Sequence, residues 1–128
     1  MRILLDTHAF LWWIGADDRL SARAAELVED GGNEVFLSAA STWEIVVKTV
    51  LGRVEITDPL ERFIPEQLER NAMRPLPIGI EHTLAVATLP PVHRDPFDRM
   101  LVAQATVEHM TLVSGDRMLR RYPVTVEW

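Results

Sequence analysis

Four acidic residues sit where an α/β chain builds its sites. Asp6 closes the apolar run Arg2–Asp6, and Glu44 lies in the first turns of the helical pattern after Val35–Leu37. Asp98 opens a long helical pattern together with Asp95, and Asp116 follows the apolar run Thr111–Ser114. Asp6, Glu44, Asp98 and Asp116 are separated by 38, 54 and 18 residues, so only a fold can bring them together. Gathered in one crevice, four carboxylates repel, and without a cation some of them take up protons. The chain has no cysteine. An all-oxygen ligand set of this kind suits a hard cation, Mg²⁺ or Mn²⁺. Such an ion activates water and holds the attacking and leaving oxygens of a phosphodiester, so hydrolysis of that bond is the chemistry expected.

The elements that must position these acids alternate along the chain. Arg2–Asp6, Val35–Leu37, Thr111–Ser114 and Val124–Val126 read as short buried strands, and Met73–Pro77, with two prolines, as an edge strand. Thr7–Ile14 reads as an apolar helix, and Ser21 as the N-cap of a second one that ends at Gly31. Ser41–Glu44 has the form of a capping box heading a helix that stops at Gly52. Asp58-Pro59 starts a helix whose Leu60, Phe63, Ile64 and Leu68 share a face. Glu81–Ala87, the segment from Asp95-Pro96 onward and a turn from Asp116 complete the helices. Strand–helix alternation predicts a mostly parallel sheet with helices on both faces, and its site lies beyond the carboxyl ends of the strands.

At this stage each acid also has a purely structural alternative. Glu44 fits the capping box, Asp95 fits an N-cap before Pro96, Asp98 favours the helix dipole, and Asp116 caps its own turn. Asp6 is the hardest to account for, because ending a buried apolar strand with an acid brings no evident gain. Asp95 leans towards a cap. It is the joint placement of the other four that favours a metal site.

Composition bounds these readings. The 128 residues are expected to form a single domain over 1–128, and 48% hydrophobic content excludes general disorder. The absence of cysteine excludes disulfides, thiolate metal sites and a cysteine nucleophile. No apolar run approaches membrane-spanning length, and the early Asp6 does not fit a signal peptide, so a cytoplasmic protein without membrane contact is expected. The net charge of −6 argues against a broad nucleic-acid-binding face. The four acids supply four of those charges and leave −2 for the rest of the chain.

Four segments in order resemble the PIN-domain ribonucleases, specifically the VapC-type toxins of bacterial toxin–antitoxin pairs. They are Leu4-Leu5-Asp6-Thr7-His8 with the following Ala9–Trp13, Leu37–Ile45, Leu89–Ala105 around Asp95-Pro96-Phe97-Asp98-Arg99, and Leu112-Val113-Ser114-Gly115-Asp116. The resemblance runs from residue 2 to about 117. It implies a PIN-like three-layer α/β sandwich with a five-stranded, mostly parallel sheet. It also implies an endoribonuclease dependent on Mg²⁺ or Mn²⁺, with the family's acidic quartet on Asp6, Glu44, Asp98 and Asp116. RNA substrate, a cognate antitoxin that covers the site, and a homodimer are further implications. His8 stands where the wider family often has a small polar residue, and Ser114 where threonine is common. Neither difference removes a ligand. His8 has two readings, substrate or metal-bound water contact on one side and framework on the other.

Several neighbours need separate weighing. Thr7 and Ser114 are placed to hydrogen-bond a ligating carboxylate or to close a local turn. His93 reads as a cap or packing residue ahead of a general acid. His82 and His109 have no companion motif. Arg94, Arg99, Arg117, Arg120 and Arg121 cluster around two of the acids, where they suit RNA phosphates or ordinary ion pairs. Lys48, the only lysine, stands one turn after Glu44 and fits an ion pair with it. Trp12, Trp13 and Trp43 read as core or interface residues before base-stacking ones. The competing functions are a haloacid dehalogenase-type phosphatase, which needs a second aspartate at position 8, and a receiver domain, whose paired acids and late lysine are absent. A nonenzymatic α/β interaction domain is what remains if the acids are only caps.

Overall fold

The computed structural model describes residues 1–128. Its strands are β1 (Arg2–Leu5), β2 (Glu34–Ser38), β3 (Met73–Leu76), β4 (Thr111–Val113) and β5 (Val126–Glu127). Its helices are α1 (Thr7–Ile14), α2 (Ala22–Glu29), α3 (Ala39–Val50), α4 (Leu60–Arg70), α5 (Ile80–Val86) and α6 (Pro96–Glu108), with a 3₁₀ turn at Arg117–Arg121. The strands form one sheet in the order β3-β2-β1-β4-β5, and every neighbouring pair is parallel. The chain builds outward from β1 to β3, then returns to β4 on the other side of β1. That reversal opens a crevice between β1 and β4, the place where sheets of this kind bind ligands.

The pleat divides the strand residues between two cores. Ile3, Leu5, Val35, Leu37 and Val113 face α1 and α2, where Phe10, Ala24 and Leu27 are buried. Leu4, Phe36 and Leu112 face α6, where Leu101, Val102 and Ala105 are buried. Helices therefore cover both faces, as the alternation predicts. Pro75 lies on β3 at the sheet edge, where its missing N–H breaks no ladder.

Helix starts are where sequence and structure differ. Ser41 does not cap α3. The helix starts two residues earlier, with the Ser38 hydroxyl accepting the Ala40 N–H at 2.9 Å, because β2 runs directly into it. Ser41 and Glu44 are thereby inside the helix and buried. Asp58 does not cap α4 either. That helix starts at Leu60 with no side-chain cap, and it carries Pro65 in its interior. The shared face of α4 holds in part: Leu60, Ile64 and Leu68 pack on the first core, and Phe63 turns to a groove beside α1. The final strand is displaced to Val126–Glu127. No helix is long and apolar enough to cross a membrane.

Candidate metal centre

All four quartet acids reach the carboxyl ends of the strands. Asp6 follows β1 and is the N-cap of α1, where one carboxylate oxygen, Oδ1, accepts the Ala9 N–H at 2.7 Å. Asp116 follows β4 and its Oδ1 caps the 3₁₀ turn by accepting from Met118 N–H at 2.9 Å. Asp95 caps α6 through Oδ1, which accepts from Phe97 N–H at 2.8 Å. Cap and ligand are therefore not alternatives for these aspartates. A carboxylate has two oxygens, and the amide at the helix start holds one while orienting the other. The acid at the end of β1 gains a helix start, which answers the puzzle that Asp6 poses in the sequence.

Glu44 is reached by a different route. It lies on the buried face of α3, 3% exposed. Its Oε1 accepts the Thr7 hydroxyl at 2.6 Å and its Oε2 lies 2.6 Å from Lys48 Nζ. Thr7 also lies 3.0 Å from the Ser41 hydroxyl, so α1 and α3 are tied at this point. The predicted Glu44–Lys48 pair is present, and Thr7 bonds a carboxylate as one of its two readings has it.

Asp98, in the first turn of α6, is where the charges accumulate. Burial first, then the charges of Asp95, Glu44 and Asp6, push its carboxyl up to about 7, against a smaller opposing effect of His93. Burial likewise raises Asp6, with Glu44 adding to it, while hydrogen bonds from Ser114 and Ala9 oppose. These influences are those of buried carboxylates crowded at one place, offset only in part by His93 and His8.

His93 joins the remaining pair. Its Nε2 lies 2.9 Å from Asp116 Oδ2 and 3.3 Å from Asp98 Oδ2. Its Nδ1 accepts the Asp95 N–H at 3.1 Å. An accepting ring nitrogen carries no proton, so the ring proton sits on Nε2, between the two carboxylates. The His93 N–H in turn donates to the Tyr122 hydroxyl at 2.8 Å. Arg99 reaches the same hydroxyl at 3.3 Å and the carbonyls of Pro90 and Val86 at 3.1 and 3.2 Å. This corrects two readings. His93 is more than a cap or packing residue, and Arg99 staples the 86–93 segment and is not free for phosphate. Tyr122, the only tyrosine, gives no sequence signal, because its partner lies 29 residues away in a loop. Arg94, Arg117, Arg120 and Arg121 remain exposed and form no ion pair.

The donor set fits a hard divalent cation. It is all oxygen, carries excess negative charge, and opens to solvent through the half-buried Asp98 and Asp116. His93 fits less well as a ligand, because its Nε2 lone pair is taken by the proton.

The chain is similar to known proteins over nearly its whole length. The PIN domain family model matches residues 3–124. The chain is 30% identical over 128 residues to ribonuclease VapC22 of Mycobacterium tuberculosis, covering 97% of each. The VapBC2 crystal structure from Rickettsia felis, bound to a promoter DNA fragment, superposes with a TM-score of 0.74 at 17% identity, covering 100% of this chain and 99% of that one. VapBC-1 from nontypeable Haemophilus influenzae gives 0.69 at 15% identity, covering 99% and 97%. The two structures share the fold.

Proposed function

The chain belongs to the PIN-domain family, and from that premise we propose that it is a VapC-type toxin, a metal-dependent endoribonuclease neutralised by a cognate antitoxin. The observation that carries this reading is the convergence of acids from four separate segments on one crevice, where burial first, and then the charges of neighbouring acids, raise Asp98 to about 7. A nonenzymatic domain gains nothing from that repulsion. The likeness to a protein named as a ribonuclease supports RNA as the substrate.

In this reading Asp6, Glu44, Asp98 and Asp116 hold Mg²⁺ or Mn²⁺. A divalent cation there supplies Lewis acidity at the phosphate and a water ionised near neutral pH. The chain's own residues prepare the site. Three helix-start amides orient Asp6, Asp95 and Asp116. Thr7 and Lys48 hold Glu44. His93 fixes Asp98 and Asp116 relative to each other by sharing its Nε2 proton. Since the crowded acids repel RNA phosphates, RNA binding depends on the ion being present, and recognition falls to a few exposed arginines and to RNA shape.

The antitoxin covers this crevice and suits it by bringing a basic side chain. A second copy of the chain fits a different surface. Trp43, Val46 and Val50 of α3 and Ile80 and Leu84 of α5 are all exposed, and between the two helices lies an apolar groove of about 390 Å³. The place of action is the cytoplasm, where the RNA is. The direct test is incubation of antitoxin-free protein with total RNA. Cleavage is expected with Mg²⁺ or Mn²⁺ and is expected to stop on chelation. No cleavage with either ion would refute the reading.

A further inference from the structure

Beside the acid crevice lies a second cavity with aromatic walls. It measures about 280 Å³, and Asp6, Gly115 and Asp116 form one side while His8, Trp12, Arg19 and Trp128 form the rest. None of these last four residues hydrogen-bonds the four acids. The contrast with Trp13 is informative. Trp13 donates its Nε1–H to Asn71 at 3.0 Å and packs on the first core, so its role is structural. Trp12, the next residue back, instead turns its half-buried ring to the cavity.

The cavity is pre-built. The Trp12 ring centre lies 5.6 Å from that of His8 and 5.8 Å from that of Trp128. The Arg19 guanidinium lies 5.0 Å from the centre of the Trp12 ring. It is fixed there by Asp17, which accepts from Nε at 3.0 Å and from Nη2 at 2.7 Å. Those hydrogen bonds hold Asp17 down at about 2, so the pair stays ionised across the neutral range. Trp128 rests on the backbone at Gly115, where an added Cβ would come within 2.9 Å of Cε2 of the indole. Glycine there lets an aromatic ring lie against the same short segment that carries Ser114 and Asp116.

We propose that this cavity is a nucleobase subsite, in which an unpaired RNA base joined to the phosphate at Asp6 and Asp116 stacks on Trp12, flanked by His8, Arg19 and Trp128. The proposal rests on the nuclease reading of the acids and adds the residues that hold the base beside the reacting phosphate. The cavity shares a wall with the acids, so what enters it is continuous with the reacting phosphate. Aromatic faces and a guanidinium plane hold bases by stacking and by cation–π attraction, and every base offers such a face. A paired base has both faces covered within its helix. The subsite therefore selects unpaired RNA and is tolerant of base identity.

Two measurements test this. In the first, the unaltered protein with Ca²⁺ in place of Mg²⁺, a hard cation that suits the same oxygen ligands, is titrated with short single-stranded oligoribonucleotides while tryptophan emission is followed. Quenching is expected, with affinity reduced about five- to a hundred-fold by Trp12→Leu and largely restored by Trp12→Phe. Duplex RNA of the same length is expected not to quench. In the second, cleavage by the otherwise unaltered protein is expected to show a KM raised by a similar factor in Trp12→Leu with kcat nearly kept. An abasic nucleotide beside the cut should have the same effect, and the two changes together should cost no more than one. Unchanged affinity and KM in Trp12→Leu, or fully additive effects, would overturn the subsite. So would antitoxin binding that depends on Trp12 while oligonucleotide binding does not. Quenching without any cleavage by the unaltered protein would leave the subsite standing and remove the nuclease reading.

Discussion

Two histidine–carboxylate clusters lie at opposite ends of this molecule, and in local geometry they are nearly the same. His93 Nε2 is 2.9 Å from Asp116 and His82 Nε2 is 2.9 Å from Glu108. Each ring accepts a backbone N–H at Nδ1, from Asp95 and from Gly79. Each has a second acid nearby, Asp98 at 3.3 Å and Glu81 at 3.8 Å. The surroundings separate them. Glu108 ends α6 beside Arg2, the first residue of β1, so the His82 cluster sits away from the crevice and its outer acid is exposed to water. That cluster is a satisfied tie between α5 and α6. At the other end the charges of Asp95, Glu44 and Asp6 press on Asp98, and His93 offsets them only in part. Pairwise geometry does not distinguish a site from a staple; the excess of negative charge around the pair does.

The comparison can be broken most sharply at Asp98. Asp98→Asn is expected to lower RNA cleavage by roughly three orders of magnitude or more, the scale of losing a bound ion's several kcal/mol. The same substitution is expected to raise the melting temperature of metal-free protein at neutral pH. Loss of activity together with loss of fold would contradict the assignment.

A smaller effect separates the histidines directly. His93→Ala is expected to weaken Mn²⁺ binding, measured by calorimetry, about 10- to 100-fold, as removal of a ligand's hydrogen-bond partner does. His82→Ala should leave Mn²⁺ affinity unchanged and instead cost about 1–3 kcal/mol of stability, because Gly79 N–H and Glu108 lose a partner. Equal effects of the two substitutions on metal binding would erase the distinction.

The smallest expected effect is on pH dependence. The Asp98 carboxyl titrates near 7 in the folded metal-free protein, against its ordinary 3.8. Below about pH 4 it is protonated in both states and costs nothing. Between about 4 and 7 the unfolded chain releases this proton and the folded one retains it, so stability falls as pH rises. Allowing for the group's partial exposure, the fall is roughly 2 kcal/mol. Urea denaturation at pH 5 and pH 8 would measure it. Mg²⁺ or Asp98→Asn should flatten the difference, whereas His82→Ala should not.

Much of this architecture was legible in the residues. The alternation of apolar runs with helical segments gave a parallel sheet, and the rule for strand ends pointed to the four acids. What stayed hidden was every interaction that closes across sequence distance. Nothing near His93 announces Tyr122, and nothing near Trp12 announces Trp128. Ser41–Glu44 has the form of a capping box but lies inside α3, because a strand running straight into a helix leaves no loop to mark the start. The sequence poses cap and ligand as alternatives for whole residues, whereas a cap occupies only one oxygen of each carboxylate.

That division of labour within single carboxylates carries a genetic consequence. Asp6, Asp95 and Asp116 each start a helix with one oxygen, so alanine at any of them removes a cap worth about 1 kcal/mol along with the acid. Asparagine keeps an oxygen of the same reach and is an equally good cap. Aspartate and asparagine codons differ by one base. A single-base change can therefore disarm the enzyme and leave the helix starts standing, and a chain silenced that way would persist as a folded protein still shaped to bind its partners.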